Sequence, residues 1–306
     1  MDLFAALGIA VLAGLCNSMQ GPTNTALSTH VGRAQATLTS FAGGAILLGV
    51  LVLLFGQGDL SGVTRVPPWQ LITGLYGFIV IVSVVYATPR LGIAFTLMIL
   101  MFGKLLTGAV IDTFGLLTAT AQPLHLARVA GLTIVAAGIL FVTKDRMERA
   151  ATSGMATGGG IFLAGVLVAI AGAGNAIQAP TLSALSATTG SMEASLWNFI
   201  GGLVCAIVYV LVSQKGTWQP FRGAGTRPWQ YLGGAYGTVI VLIVITATPV
   251  LGVGLLVSAQ MLGQLAGGML IDSKGFLGCK KIPITAKRVA GVLLVATCVL
   301  CLTLFA

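Results

Sequence analysis

Charge is scarce in this sequence: only 8% of its residues are charged, against about 25% in a soluble domain. Acids are scarcest, with 7 Asp and Glu in 306 residues, and there are 2 histidines, His30 and His125. So little charge excludes a water-soluble surface. The sequence also lacks a His-Glu-x-x-His zinc site and a Gly-x-Ser-x-Gly nucleophile elbow, so nothing in it supports an intramembrane enzyme, a catalytic residue, a metal site or a cofactor. Its five cysteines, Cys16, Cys205, Cys279, Cys298 and Cys301, have no metal-ligand spacing and mostly fall in apolar stretches, where they act as small hydrophobes.

What is present is apolar sequence: 57% hydrophobic residues and a mean hydropathy of +1.01. Long apolar runs recur with only short connections, leaving no room for a soluble domain. A span needs about 20 apolar residues, and ten segments qualify: 3–20, 35–55, 69–87, 91–111, 126–142, 159–178, 192–212, 229–247, 251–271 and 286–304. The first run has no basic region before it, as a signal peptide would, and is expected to be a retained helix. Thr88-Pro89-Arg90 and Thr248-Pro249-Val250 are expected to make tight turns after the third and eighth spans, because proline does not continue a helix.

The net charge of +9 is not a nucleic-acid footprint, because the basic residues are dispersed between spans. Arg33, Arg90, Lys144, Arg146, Arg149, Lys215, Arg222, Arg227, Lys274, Lys280, Lys281, Lys287 and Arg288 fall on one side of the ten-span topology, and only Arg65 and Arg128 on the other. Basic loops stay cytoplasmic. The expectation is a multi-pass protein of the inner (plasma) membrane with both termini on the non-cytoplasmic side. Lys104 belongs to neither set.

The chain repeats itself at an offset of 158, then 160. Asn17, Gln20, Pro22 and Thr23 recur as Asn175, Gln178, Pro180 and Thr181, and Phe41-Ala42-Gly43-Gly44 as Phe199-Ile200-Gly201-Gly202. Pro68-Trp69-Gln70, Tyr76-Gly77, Ile111-Asp112 and Arg128-Val129-Ala130-Gly131 recur as Pro228-Trp229-Gln230, Tyr236-Gly237, Ile271-Asp272 and Arg288-Val289-Ala290-Gly291. An odd number of spans per half inverts the second half relative to the first. The fold expected is therefore all-α and integral to the membrane, ten transmembrane helices arranged as two inverted five-helix repeats, 1–150 and 151–306, forming one membrane domain. Secondary transporters exploit that arrangement.

The strings Asn17-Ser18-Met19-Gln20-Gly21-Pro22-Thr23-Asn24, Phe-x-Gly-Gly in both halves, Gly263-Gln264-Leu265, Ile271-Asp272-Ser273-Lys274-Gly275 and Arg288-Val289-Ala290-Gly291 resemble the YdcZ-like branch of the drug/metabolite transporter superfamily. The resemblance runs the length of the chain, once per half. It implies a ten-helix bundle whose first four helices in each half line a central cavity. One position departs from it: Gly-Gln is kept at Gly263-Gln264 but is Gly103-Lys104 in the first half.

Polar side chains inside a bilayer are costly and tend to face a cavity or another helix. Asn17, Gln20 and Asn24 lie at i, i+3 and i+7, on one helical face, and Asn175 with Gln178 repeats the pattern. These amides either line the solute path or link helices by hydrogen bonds. Pro22 and Pro180 are expected to bend or break the helices beside them. Tyr76, Tyr236, Lys104 and Gln264 complete the candidate solute-binding set; Asp112 and Asp272 are expected to cap turns, and the repeated glycines to bring helices close. Lys104 is expected either to pair with Glu193 or to face the solute. No carboxylate lies mid-span, which disfavours a proton-driven cation exporter and favours a neutral or anionic solute. The function expected is a transporter or facilitator for a small polar metabolite, with membrane lipid as its surroundings and a monomer or homodimer as its state; the alternatives are a lipid-moving or structural membrane subunit and, less favoured, an intramembrane enzyme.

Overall fold

In a bilayer, every backbone polar group of a span must be satisfied within the protein, and a helix does this locally. A computed structural model of the chain describes residues 2–117, 158–213 and 225–286, together with Gly223 and a few isolated positions, and these are helical with no strands among them. The helices are α1 (Leu3–Val31), α2 (Arg33–Phe55), the short α3 (Pro68–Leu71), α4 (Thr73–Leu91), α5 (Ile93–Phe114), α6 (Gly158–Thr189), α7 (Ser191–Ser213) and α8 (Gly233–Lys274). Among the described residues, six helices are long and apolar enough to cross a membrane, and Gly233–Ala247 is a shorter apolar helix. Apart from isolated positions, the expected spans at 126–142 and 286–304 lie outside the described residues.

Glycine makes the sharpest reversals. Gly32 (φ 84°) and Gly190 (φ 98°), 158 residues apart, each join the first two helices of a half through a single residue, in a region of φ that side chains resist. Gly92 (φ 73°) ends α4, and Pro89 lies inside its last turn, so the reversal comes three residues later than the Thr-Pro pair suggests.

Two sequence expectations are corrected. Neither proline breaks its helix, since α1 and α6 run continuously through Pro22 and Pro180. They also extend about ten residues further than hydropathy indicates, because the polar groups beyond the proline are satisfied inside the helix: Thr25 Oγ1 donates to Gly21 O at 2.8 Å, Ser28 Oγ to Thr25 O at 2.6 Å and Thr181 Oγ1 to Ile177 O at 2.7 Å.

The 42 residues of α8 would measure about 63 Å if straight, twice the hydrocarbon thickness. They double back instead. Gly233 lies against Asn24 near the far end of α1, Ala247 and Leu251 join a cluster with Ala6 and Ala10 near its start, and Gly278, just past α8, returns to Ala26. The segment is thus a helical hairpin with α1 laid along it, and α4 and α5 form the equivalent hairpin for α6.

Contacts recur in exchanged pairs. A methyl group added to Gly14 would overlap the Gln260 carbonyl, and one on Gly172 the Leu100 carbonyl; Gly103 presses on Ala169 O as Gly263 does on Val11 O. Gly44 seats Phe199 and Gly202 seats Phe41, with the two rings edge-to-face at 5.9 Å. Advancing first-half residues by 158 or 160 turns each contact into its counterpart. Such approaches let backbones meet without side chains between them, and an edge-to-face ring pair adds about 0.5–1.5 kcal/mol.

A candidate solute cavity

The polar stripe of α1 faces inward. Asn17, Gln20, Gly21 and Asn24 form one wall of a cavity of about 30 Å³, and Val80, Ile81 and Val84 of α4 with Ile93, Leu97 and Leu100 of α5 form the other. The space holds about one or two waters. No charged side chain lines it. Gln20 Nε2 donates to Gly233 O at 3.1 Å, and Asn24, 1% exposed, donates from Nδ2 to Ser40 Oγ at 3.2 Å. Asn17 makes no hydrogen bond with any described residue, so its amide is available to whatever enters.

In the second half the same residue types are tied together. Asn175 Nδ2 donates to Gln178 Oε1 at 3.2 Å; Gln178 Nε2 donates to Asn198 Oδ1 at 2.8 Å and Thr73 O at 3.3 Å; Thr73 Oγ1 donates to Asn198 Oδ1 at 3.0 Å. This network joins α4, α6 and α7. The bonds from Gln20 to Gly233 O and from Gln178 to Thr73 O are counterparts under the repeat.

The cavity wall thus includes Asn17, Gln20 and Asn24 of the sequence candidates. Tyr76 packs against Gly174, and Tyr236 lies beside Cys16 and Thr23, which is the exchanged version of the same contact. Gln264 is buried, its backbone against Gly14. Lys104 is half-buried one turn beyond Leu100 on α5. It is not paired with Glu193. That carboxylate, 3% exposed, accepts from Gly58 N at 2.8 Å at the start of α7, whereas the backbone of Lys104 lies near Gly172, seventeen residues or about 25 Å back along α6.

Two polar residues, Asn198 and Gln260, escaped the sequence reading, and a third, Asp272, has partners other than the local turn expected of it. Asn198 is the hub of the second-half network, but its repeat counterpart is Ser40, so no repeated amide marked it. Gln260 occupies the position equivalent to cavity-lining Leu100, and its Nε2 is buried with no hydrogen-bond partner among the described residues. Asp272, fully buried, caps a helix other than its own: Oδ1 accepts from Ile93 N at 2.9 Å and Oδ2 from Ala94 N at 3.1 Å, at the start of α5. A carboxylate at a helix N-terminus satisfies free amides and the helix dipole together. Its cap on α5 is a bond between halves, where the sequence indicated a local turn.

Apolar spans packed around a small cavity with an amide wall are the architecture of a multi-pass membrane protein. The chain belongs to the family described as "Putative inner membrane exporter, YdcZ", which it matches twice, over residues 5–141 and 163–301. The two matched regions begin 158 residues apart and end 160 apart, the same offsets that relate the paired contacts. It is accordingly an inner-membrane protein. No curated protein matches it.

Proposed function

We propose that the protein is a secondary transporter or facilitator that carries a small polar metabolite by alternating access between two inverted five-helix repeats, ten spans in all. The observation that carries this reading is the exchange of contacts between halves. If Gly14 on Gln260 and Gly172 on Leu100 are equivalent, the two halves can trade conformations, and a central site then opens to each side in turn. The amide wall of Asn17, Gln20 and Asn24 receives the solute, with Gln260 facing it from the second half, while Asn175 and Gln178 hold helices together in the state described here.

Orientation follows the charges. Arg33 and Arg90 both stack on Tyr86, with guanidinium carbons 5.3 and 4.0 Å from the ring centroid; Lys274 ends α8, whose last turn carries the Asp272 cap on α5, and Lys280 and Lys281 follow it. The opposite end holds Asp59, Arg65 and Glu193. The basic end is cytoplasmic in this reading.

Proteoliposomes carrying the purified protein and loaded with a metabolite extract test it: some solute should leave the vesicles, identified by mass spectrometry, and Asn17→Leu should stop its exit while thermal stability stays near wild type. An unchanged distribution of every solute with folded protein sinks the proposal, and a solute converted in mass without leaving would indicate an enzyme.

A further inference from the structure

The α5 wall of the cavity is a stripe. Ile93, Leu97 and Leu100 fall at i, i+4 and i+7, and the next position on that face is i+11, Lys104. It lies midway along a 22-residue apolar helix, about 15 Å from either end at 1.5 Å per residue. Snorkelling lets a lysine near a helix end reach the interface, and this one starts too deep for that.

A cation in a low-dielectric span needs a counter-charge, and the described carboxylates are committed elsewhere. Asp2 caps Ala5 N, Asp59 accepts from Ser61 and faces Arg65, Glu193 holds Gly58 N, and Asp272 caps α5. Asp112 is eight residues along the same helix, about 12 Å away. Asp145 and Glu148 fall among Lys144, Arg146 and Arg149 in a basic stretch. Lys104 itself makes no ion pair or hydrogen bond with a described residue. The fold does not require the charge either, since the repeat puts neutral Gln264 in the equivalent place, with Gly14 against its backbone as Gly172 is against that of Lys104.

We propose that Lys104 is the counter-charge for an anionic group on the transported solute, which makes the solute a small monocarboxylate with an apolar body. The apolar wall from Val80 to Leu100 takes the body, the α1 amides take its remaining polar groups, and the ammonium, next along the stripe, takes the carboxylate. This inference rests on the transport reading and deepens it.

Hexanoate and benzoate, each compared with its primary amide, are the probes. In nanodiscs of zwitterionic lipid, both acids should raise the thermal stability of the wild-type protein and the amides should not. Lys104→Gln, which installs the residue of the second half, should fold and bind the acids about tenfold more weakly or worse, the loss of one charged hydrogen bond; Lys104→Arg should keep much of the binding. Equal stabilisation by acids and amides, unchanged binding in Lys104→Gln, or no binding of either acid to folded wild type overturns the proposal. So does a stability shift that follows added anionic lipid instead of the acids, because the partner would then be a headgroup. Failure of the transport reading looks different: the acids bind through Lys104, yet wild-type proteoliposomes move no solute.

Discussion

Two side chains show how much a single position can carry here. Asp272 has both oxygens on backbone amides of α5, so Asp272→Ala strands two buried donors and should cost about 1–3 kcal/mol, with Asp272→Asn milder because one acceptor survives. Thermal unfolding in detergent ranks the two, and equal stability of the alanine variant would refute the cap. Cys279 follows α8 in a loop, where a thiol would ordinarily react readily. Burial, and then the negative charge of Asp272, push its pKa up to about 12. Both causes disfavour the thiolate, so at neutral pH the group is a protonated thiol and a poor nucleophile. Maleimide should modify it slowly at pH 7 to 8, and faster in Asp272→Asn; rapid labelling of the wild type at that site would contradict the burial. At this scale the sequence was only partly legible. Asn17 and Gln20 stood out as repeated amides in apolar runs, but Asn198 and Gln260 have Ser40 and Leu100 as counterparts, and the partner of Asp272 is nearly 180 residues distant, where spacing has nothing to say.

Among the helices, the repeated Gly-Gly pairs separate into unlike members. A side chain on Gly44 would run into the Phe199 ring and one on Gly202 into the Phe41 ring, whereas nothing stands within 4 Å of a methyl on Gly43. Gly43→Ala should therefore be neutral or stabilising by up to about 1 kcal/mol, the ordinary gain from alanine in a helix. Gly44→Ala should destabilise by about 1–3 kcal/mol through overpacking. Melting temperatures of the two variants should move in opposite directions, and a shared direction would show that the α2–α7 contact is looser than described. Helix identity was easy to anticipate from hydropathy, and the glycine pairs announced close packing. Helix ends were harder: α1 and α6 continue past their prolines because hydroxyl groups bond back to the helix, a compensation that hydropathy does not count.

For the whole molecule, the testable quantity is sidedness. In a background without the five native cysteines, single cysteines replacing Lys281 or Ser61 probe opposite ends. An impermeant thiol reagent applied to intact cells should label the Ser61 position and miss the Lys281 position, and the reverse pattern would invert the proposed topology. The repeat was legible across the full chain because an identity such as Phe-x-Gly-Gly survives wherever a ring must seat on a glycine. The pairing of first helices with the opposite half's hairpin was not, since a self-alignment matches residues without saying which ones touch.

That pairing sets a schedule for synthesis. The acceptor for Gln20 is Gly233 O, and α1 lies along Gly233–Lys274, so α1 is made about two hundred residues before its partner. At about 5–20 residues per second, the delay is roughly 10–40 seconds, during which Asn17, Gln20 and Asn24 sit in the bilayer beside whatever insertion factor or lipid is at hand. A chain released before residue 233 never supplies that partner, and the polar face of α1 is left without the acceptor at Gly233 O.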